Sequence, residues 1–490
     1  MAKLALARAQ QVYHPPAIKL PTVLNQTNLN YDKYRQIRFN PGKALWTEDD
    51  LPFRVEFFHP GYIYNEPVHV NEFTPGYTQP IPFVQDFFNY GNLSIKNQIP
   101  NNVGYVGFKI IYPLNKPNVF DDLAVFQGAS YFRVLGKGQT YGLSARGLAL
   151  NCGQTDVPYE EFPIFTDWWL GKPAKGAANL VLYGLLDSVS CAGAYKFNIH
   201  PGETTTVDVD AVLYFRLSSA ILKFGLNVPV IKTVGMAPLT SSCWFAKTTE
   251  DKPDDYRTEV HDSDGFMMEM SSGERLWEPL YNPKNLLHQI FAAPHLRGFG
   301  LMQRERRFSA YQDLFTDHQD EPSVWVEPRG TNWADGNLHL VELNGPTEDW
   351  DNIVAFWSPK TVPGPLQPWR FSYSLYWTRE TDRKFSPTNQ VVATRVGVSK
   401  GSDDREFMID FAGPDFSKIA PTNPPIAIVN CSPNASIVAN QVVWNPFEKT
   451  WRAVLKMHPP TNNAPVNLRC TLQNNKKPIG ETWIYQWTRP

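Results

Sequence analysis

Cysteine is scarce, with five residues in a chain of 490: Cys152, Cys191, Cys243, Cys431 and Cys470. None falls in a CxxC spacing, which argues against structural zinc. The count is odd, so at least one thiol is unpaired or pairs with another chain. Cys431 and Cys470 either bridge two C-terminal strands or stay as two buried thiols, and the redox compartment stays open. Net charge is equally scarce. Lys and Arg number 46 against 48 Asp and Glu, a formal -2. That leaves no electrostatic case for nucleic acid or an anionic membrane surface as partner. No apolar run approaches the ~18 residues that span a bilayer, so no membrane span is expected and the chain reads as soluble. G-x-S-x-G, the P-loop and G-x-G-x-x-G are all missing, and no repeat of 20–50 residues recurs. Nucleophile-elbow hydrolases, nucleotide-phosphate folds, propellers and solenoids are disfavoured accordingly.

What is present is punctuation and aromatic surface. Pro numbers 42 and Gly 31, and they separate many short stretches of β-branched and aromatic residues. This predicts an all-β sandwich or barrel rather than an α/β fold. In 206–217 the residues Val207, Val209, Ala211, Leu213 and Phe215 share one face, while Asp208, Asp210 and Tyr214 take the other. Period-2 alternation puts one face on a core and one in solvent. Pro201-Gly202 turns this strand back onto 195–200. Phe108, Ile110 and Tyr112 alternate in the same way. Short helices are expected at 120–127, 160–170 and 285–292. Residues 7–9, Ala-Arg-Ala, read either as the remnant of a signal peptide or as a trimmed terminus.

A charged, proline-containing stretch at 378–390 suggests a linker. The expected layout is an extension over 1–24, a large β domain over 25–380, which the resemblance given below makes a β-sandwich, and a small immunoglobulin-like sandwich over 381–490. In the last part Phe407, Ile409 and Phe411 alternate, as do Trp451, Ala453, Leu455 and Met457, and Asn445-Pro446 marks a turn.

Four features carry possible chemistry. Aromatics make up 13% of the chain, and sugar rings stack their apolar C–H faces on aromatic rings. Trp168, Trp169, Trp325 and Trp357 have polar neighbours, although most aromatics are core residues. The segment 259–265, E-V-H-D-S-D-G, sets Glu259, His261, Asp262 and Asp264 close together. It does not match a calcium loop, and it has no spaced partners for zinc; its bland reading is a solvated turn. In 349–357, D-W-D-N-I-V-A-F-W, Asp351 opens an apolar strand beside Trp350 and Asn352. An acid at a strand mouth can reach a groove as a proton donor, or simply make a turn. In 131–147 a glycine-rich hairpin offers Tyr131, with Arg133 and Arg146 whose N–H forks suit sugar hydroxyls.

These segments carry a resemblance. At 120–151 (F-D-D-L-A-V-F-Q-G-A-S-Y-F-R-V-L-G-K-G-Q-T-Y-G-L-S-A-R-G-L-A-L-N), 160–163 (E-E-F-P), 259–265, 298–306 (G-F-G-L-M-Q-R-E-R) and 351–357 the chain resembles the osmoregulated periplasmic glucan biosynthesis proteins G and D. The resemblance runs from about residue 31 to the end. It implies a mutarotase-type sandwich followed by an immunoglobulin-like domain, the periplasm of a Gram-negative bacterium, and a linear β-1,2-glucan held in a cleft of the large domain. It also implies anomer-inverting endo-β-1,2-glucanase chemistry, with Asp351 as general acid and Asp262 as general base. Glu259, His261 and Asp264 would orient or tune Asp262. Inverting carboxyls ordinarily stand roughly 6.5–9.5 Å apart, a spacing that a relay through water or a sugar hydroxyl would relax.

Two departures bear on the outcome of the reaction. Where the relatives often carry tyrosine, this chain has His318, in D-H-Q-D-E-P-S. Where they often read G-D-W-G-K-G, residues 330–336 read G-T-N-W-A-D-G. Both segments are candidates to line the groove. The alternatives to hydrolysis are an inverting transglycosylase that cyclises or branches the glucan, and a non-catalytic glucan-binding scaffold. No cofactor or metal is expected, and the oligomeric state is open.

Overall fold

The computed structural model describes every residue except 16–19, 158, 219–229, 380–384, 386–387 and 490. Its chain divides into two compact units. One comprises Met1–Pro238, Pro328–Asn332 and Phe356–Trp377; the other comprises Leu239–Glu327, Trp333–Ala355 and Thr378–Pro490. The linker expected at 378–390 falls largely outside the described residues. The molecule is almost wholly β, as the strand pattern predicts.

In the first unit a run of strands pairs in the order Trp369–Thr378, Thr205–Phe215, Cys191–His200, Leu180–Asp187, Ile164–Gly171, His69–Thr74 and Tyr77–Pro80. All pairs are antiparallel except Ile164–Gly171 with His69–Thr74. A second run joins Arg54–Phe57, Gly107–Lys116, Val119–Gln127, Tyr131–Val134 and Ser144–Arg146, all antiparallel. Rings from both runs interleave. Phe108 and Phe126 meet Trp168 at 5.2 and 4.9 Å between centroids, and Phe126 meets Phe197 at 5.5 Å. Such edge-to-face contacts are the preferred aromatic geometry, and they make this unit a sandwich.

Thr205–Phe215 bears out the alternation, with Val207, Val209 and Leu213 fully buried. The opposite face is exposed at Asp210 and half-buried at Asp208, as expected, but Tyr214 is buried. Helix Ala2–Gln10 lies on it and packs Ala5 and Ala9 against Ala192, Ala194, Val212 and Tyr214. Residues 7–9 are therefore part of a packed element. Arg8 pairs with Asp187 at 3.3 Å and Asp167 at 3.4 Å. The buried Arg216 guanidinium joins Asp187 and donates to the carbonyls of Arg8 and Gln11, each at 2.5 Å.

The three expected helices are strands: Val119–Gln127, Ile164–Gly171 and Leu287–Ala292. Short apolar runs do not distinguish a helix from a strand, and here pairing partners on neighbouring strands decide.

In the second unit, Ser323–Arg329, Gly298–Met302, Gly265–Glu269 and Arg275–Pro279 pair antiparallel in that order. Thr482–Trp487 joins Arg275–Pro279 in parallel, and Val466–Asn474 and Ile426–Cys431 extend the run. Gln390–Val398, Arg405–Ala412, Thr450–His458 and Ser436–Asn445 form a separate four-stranded sheet. Phe407 packs against Trp483 and Tyr485 at 5.9 and 5.7 Å. The C-terminal strands thus share a compact unit with 239–327. All five cysteines are free thiols, Cys431 and Cys470 included.

Candidate active site

The segment 259–265 is held from both sides. Cys243–Phe245 pairs with Val260–His261, with Cys243 opposite His261. Asp262 N–H donates to the Ser242 carbonyl at 2.9 Å. Asp264 turns inward, and its two carboxylate oxygens accept the N–H groups of Arg304 at 3.1 Å and Glu305 at 3.0 Å. Asp264 thereby fixes the chain direction at 302–305. Gly265 follows because a side chain there would collide: a Cβ would stand 2.0 Å from the Trp277 ring.

Glu259 and His261 form a buried ion pair at 3.3 Å, and Lys247 reaches Glu259 at 3.1 Å and Glu305 at 2.7 Å. Burial opposes both charges. Even so, the His261 hydrogen bond and Lys247 hold the Glu259 carboxyl below its usual range, and Glu259 lifts the His261 imidazole above its own. The other His261 nitrogen meets Gln303 Oε1 at 2.9 Å, so both ring nitrogens are engaged. His261 braces the site. Glu305, beside Arg307 and Lys247, is held at about 2 in spite of its burial.

Asp351 lies in the turn that leads into the strand Ile353–Pro359, and the neighbouring Asn352 is fully buried. Asn352 Oδ1 accepts the Cys243 N–H at 2.8 Å, and its Nδ2 donates to the Cys243 and Leu343 carbonyls, both at 3.1 Å. Ser242 Oγ donates to the Glu348 carbonyl at 2.9 Å. The Ser242-Cys243 dipeptide thus anchors Asp262 on one side and the turn carrying Asp351 on the other. Arg257 adds a second tie, with Asp313 at 3.0 Å and Glu348 at 2.6 Å.

His318, in the short helix His318–Asp320, is buried. Its Nδ1 meets Glu321 Oε1 at 2.9 Å. Asp262, His318 and Glu321 present ligand-type atoms within 4.8 Å of one another.

The first unit carries the remaining candidates. Tyr131 and Arg146 are cross-strand neighbours. The Arg146 guanidinium lies 4.9 Å over Tyr131 and 5.4 Å over Phe162, and it bonds Glu160 at 2.6 Å. Arg133 donates to Ser144 Oγ at 2.8 Å. Phe162 beside this group is 48% exposed, and Tyr159, next to Glu160 in the chain, is 57% exposed. Trp168, Trp325 and Trp357 are buried, so their rings offer no face to solvent, whereas Trp350, next to Asp351, is 53% exposed.

Sequence reasoning missed Ser242, Arg257 and Glu321 as site residues. The first acts mostly through its backbone, and the second lies in an acidic stretch that reads as solvated. Glu321 does stand in the quoted D-H-Q-D-E-P-S, three residues after the histidine it holds.

Aromatic-rich β-sandwich packing, with the Asp262 backbone and the turn before Ile353–Pro359 both tied to Ser242-Cys243, defines a class of all-β sandwich proteins. Within that class the chain belongs to the periplasmic glucan biosynthesis family: the family model described as "Periplasmic glucan biosynthesis protein, MdoG" matches residues 1–487. It is similar to the glucans biosynthesis protein G of Ralstonia nicotianae, 40% identical across 98% of this chain and 94% of the relative. The protein of the same description from Serratia proteamaculans is 37% identical across 99% and 92%, and that from Pseudomonas aeruginosa is 37% identical across 99% and 91%.

Proposed function

We propose that this protein acts in the periplasm on linear β-1,2-glucan, during glucan biosynthesis, as an anomer-inverting endo-β-1,2-glucanase-type enzyme. The observation that supports this reading is the common anchoring of Asp262 and the Asp351 turn on Ser242-Cys243. Two carboxyls on rigid, separately supported strands keep a fixed relation to one another, as acid and base catalysis requires.

Asp351, in its acid form, gives its proton to the glycosidic oxygen as the bond to the anomeric carbon breaks. A water attacks that carbon from the opposite face, and its proton passes to the Asp262 carboxylate. The new C–O bond forms with inverted configuration. Glu259, His261 and Asp264 hold Asp262 in place. In the first unit, Tyr131, Arg133 and Arg146 with the exposed rings of Tyr159 and Phe162 are glucan contacts in this reading, since an aromatic face beside N–H donors suits a sugar.

The test is incubation of the purified protein with linear β-1,2-glucan and mass spectrometry of the products, with Asp351→Asn as control. Shorter linear chains, each carrying one added water, are expected from the wild type only. Products lacking one water would replace hydrolysis by transglycosylation. Unchanged glucan with retained binding would leave a scaffold.

A further inference from the structure

The second unit places two histidines close to Asp262, and the fold treats them oppositely. His261 spends both ring nitrogens, on Gln303 and Glu259. His318 spends one. Its Nδ1 is bonded to Glu321 at 2.9 Å, while its Nε2 is buried and, among the described residues, has no hydrogen-bond partner. The Glu321 carboxylate is 1% exposed and, when ionised, can only accept. The shared proton therefore sits on Nδ1, and the lone pair is left on Nε2. A buried imidazole held by a carboxylate at one nitrogen, with its other nitrogen unsatisfied, is the arrangement of a general base. An idle buried acceptor has a cost, so its persistence calls for a role.

We propose that His318, held by Glu321 in the Nε2-lone-pair tautomer, is the proton acceptor that works with Asp262. This rests on the reading of the site as a glucan-cleaving centre and adds to it where the proton goes. As the nucleophile's O–H bond breaks and its oxygen bonds the anomeric carbon, the proton leaves through the Asp262 carboxylate to His318 Nε2. The imidazolium so formed is balanced by Glu321 at Nδ1–H, and the proton is later released to water. A ring nitrogen of His318 and a carboxylate oxygen of Asp262 lie within 4.8 Å, a gap one hydroxyl or water spans. The Tyr311 ring packs against the imidazole at 5.4 Å between centroids. The hydrogen bond between Nδ1 and Glu321 engages the two groups with each other, which favours the relay over a shared cation.

The groups facing His318 are Glu321 from its own segment, Asp262 and His261 from 259–265, Tyr311 at the end of the short helix Phe308–Tyr311, Asp313 just after it, and Glu348 from the turn before Asp351. Burial lowers the His318 imidazole below its ordinary range, and Asp262 pulls it partly back. The resting ring is therefore neutral and open to a proton.

The experiment pairs kinetics on linear β-1,2-glucan with imidazole nitrogen NMR on the intact, histidine-labelled protein. His318→Phe should lower kcat by about 10²- to 10⁴-fold with KM changed only a few-fold. Glu321→Gln should move the acidic limb of the pH–rate profile to lower pH, because the imidazolium loses its carboxylate; a packing role would not move it. NMR should find the wild-type proton on Nδ1, a readout independent of activity and of whether either variant folds. A wild type that cleaves glucan while His318→Phe keeps its kcat overturns the relay alone. A proton on Nε2, or a stoichiometric metal ion bound there, also overturns it. A wild type that leaves glucan untouched removes the glucanase reading and the relay together.

Discussion

The Asn352 side chain closes a two-point hydrogen-bond pair on the backbone of Cys243, accepting its N–H at 2.8 Å and donating to its carbonyl at 3.1 Å. Asn352→Ala removes both bonds and strands a buried N–H group. It should cost roughly 2–3 kcal/mol and lower glucan turnover at least tenfold by releasing Asp351. Urea unfolding and kinetics check this together. Full stability with full turnover would mean that the Cys243 clasp does not position the acid.

Gly265 has no room for a methyl group against Trp277. Gly265→Ala should destabilise by roughly 2–3 kcal/mol through overpacking and disturb Asp264, its neighbour. A urea midpoint equal to that of the wild type would show that Trp277 can move aside without cost.

Arg304 forms a two-pronged pair with the fully buried Glu481, at 2.8 and 2.6 Å, and lies 3.5 Å over the Trp277 ring. Removing one partner of a buried pair leaves an uncompensated charge, so Glu481→Ala should cost about 3–5 kcal/mol. The Val391 N–H also loses its acceptor. Restored stability in the double variant Glu481→Leu with Arg304→Met, measured against the single change, is the expected signature of a charge penalty.

Stability should fall from pH 5 to pH 8. Burial raises Glu278 to about 7, and burial together with the Glu278 charge raises Glu342 to about 8, from an ordinary value near 4.5. The folded state binds these protons more tightly than the unfolded chain does. The stabilisation is therefore complete below pH 4.5 and is lost as pH rises through 7 and 8. Gln289, which donates toward both carboxyls at 3.2 and 3.5 Å, does not remove the burial penalty. Glu342→Gln should flatten the melting temperature across this window, and a wild-type curve already flat there would contradict the two shifts.

Much of the fold was legible because one face of a half-buried strand leaves a period of two. Thr205–Phe215 shows this, and so does Gly107–Lys116, where Phe108 and Ile110 are fully buried. The strand Val119–Gln127 was not legible as such, since it mixes Asp121 and Asp122 with a short apolar run. Helix Ala2–Gln10 gave no stripe of large apolar residues, because alanine meets alanine at its contact with the sheet. For the candidate site, Asp262 and Asp351 were read from local motifs and family resemblance. The supports were harder to see: Ser242 contributes a carbonyl to Asp262, and Glu321 acts on His318 inside an irregular turn.

The N-terminal helix has a consequence for the order in which the first unit folds. Arg216 reaches carbonyls 208 and 205 residues earlier in the chain. The surface that receives the helix does not exist until the strands through Phe215 have paired. The helix precedes these strands in the chain and is thus among the last elements to dock in this unit, after a long loop has been closed at entropic expense. Refolding of the intact chain should therefore end in a slow phase that reports on helix docking, and shortening the first eleven residues should remove that phase while the strands still form.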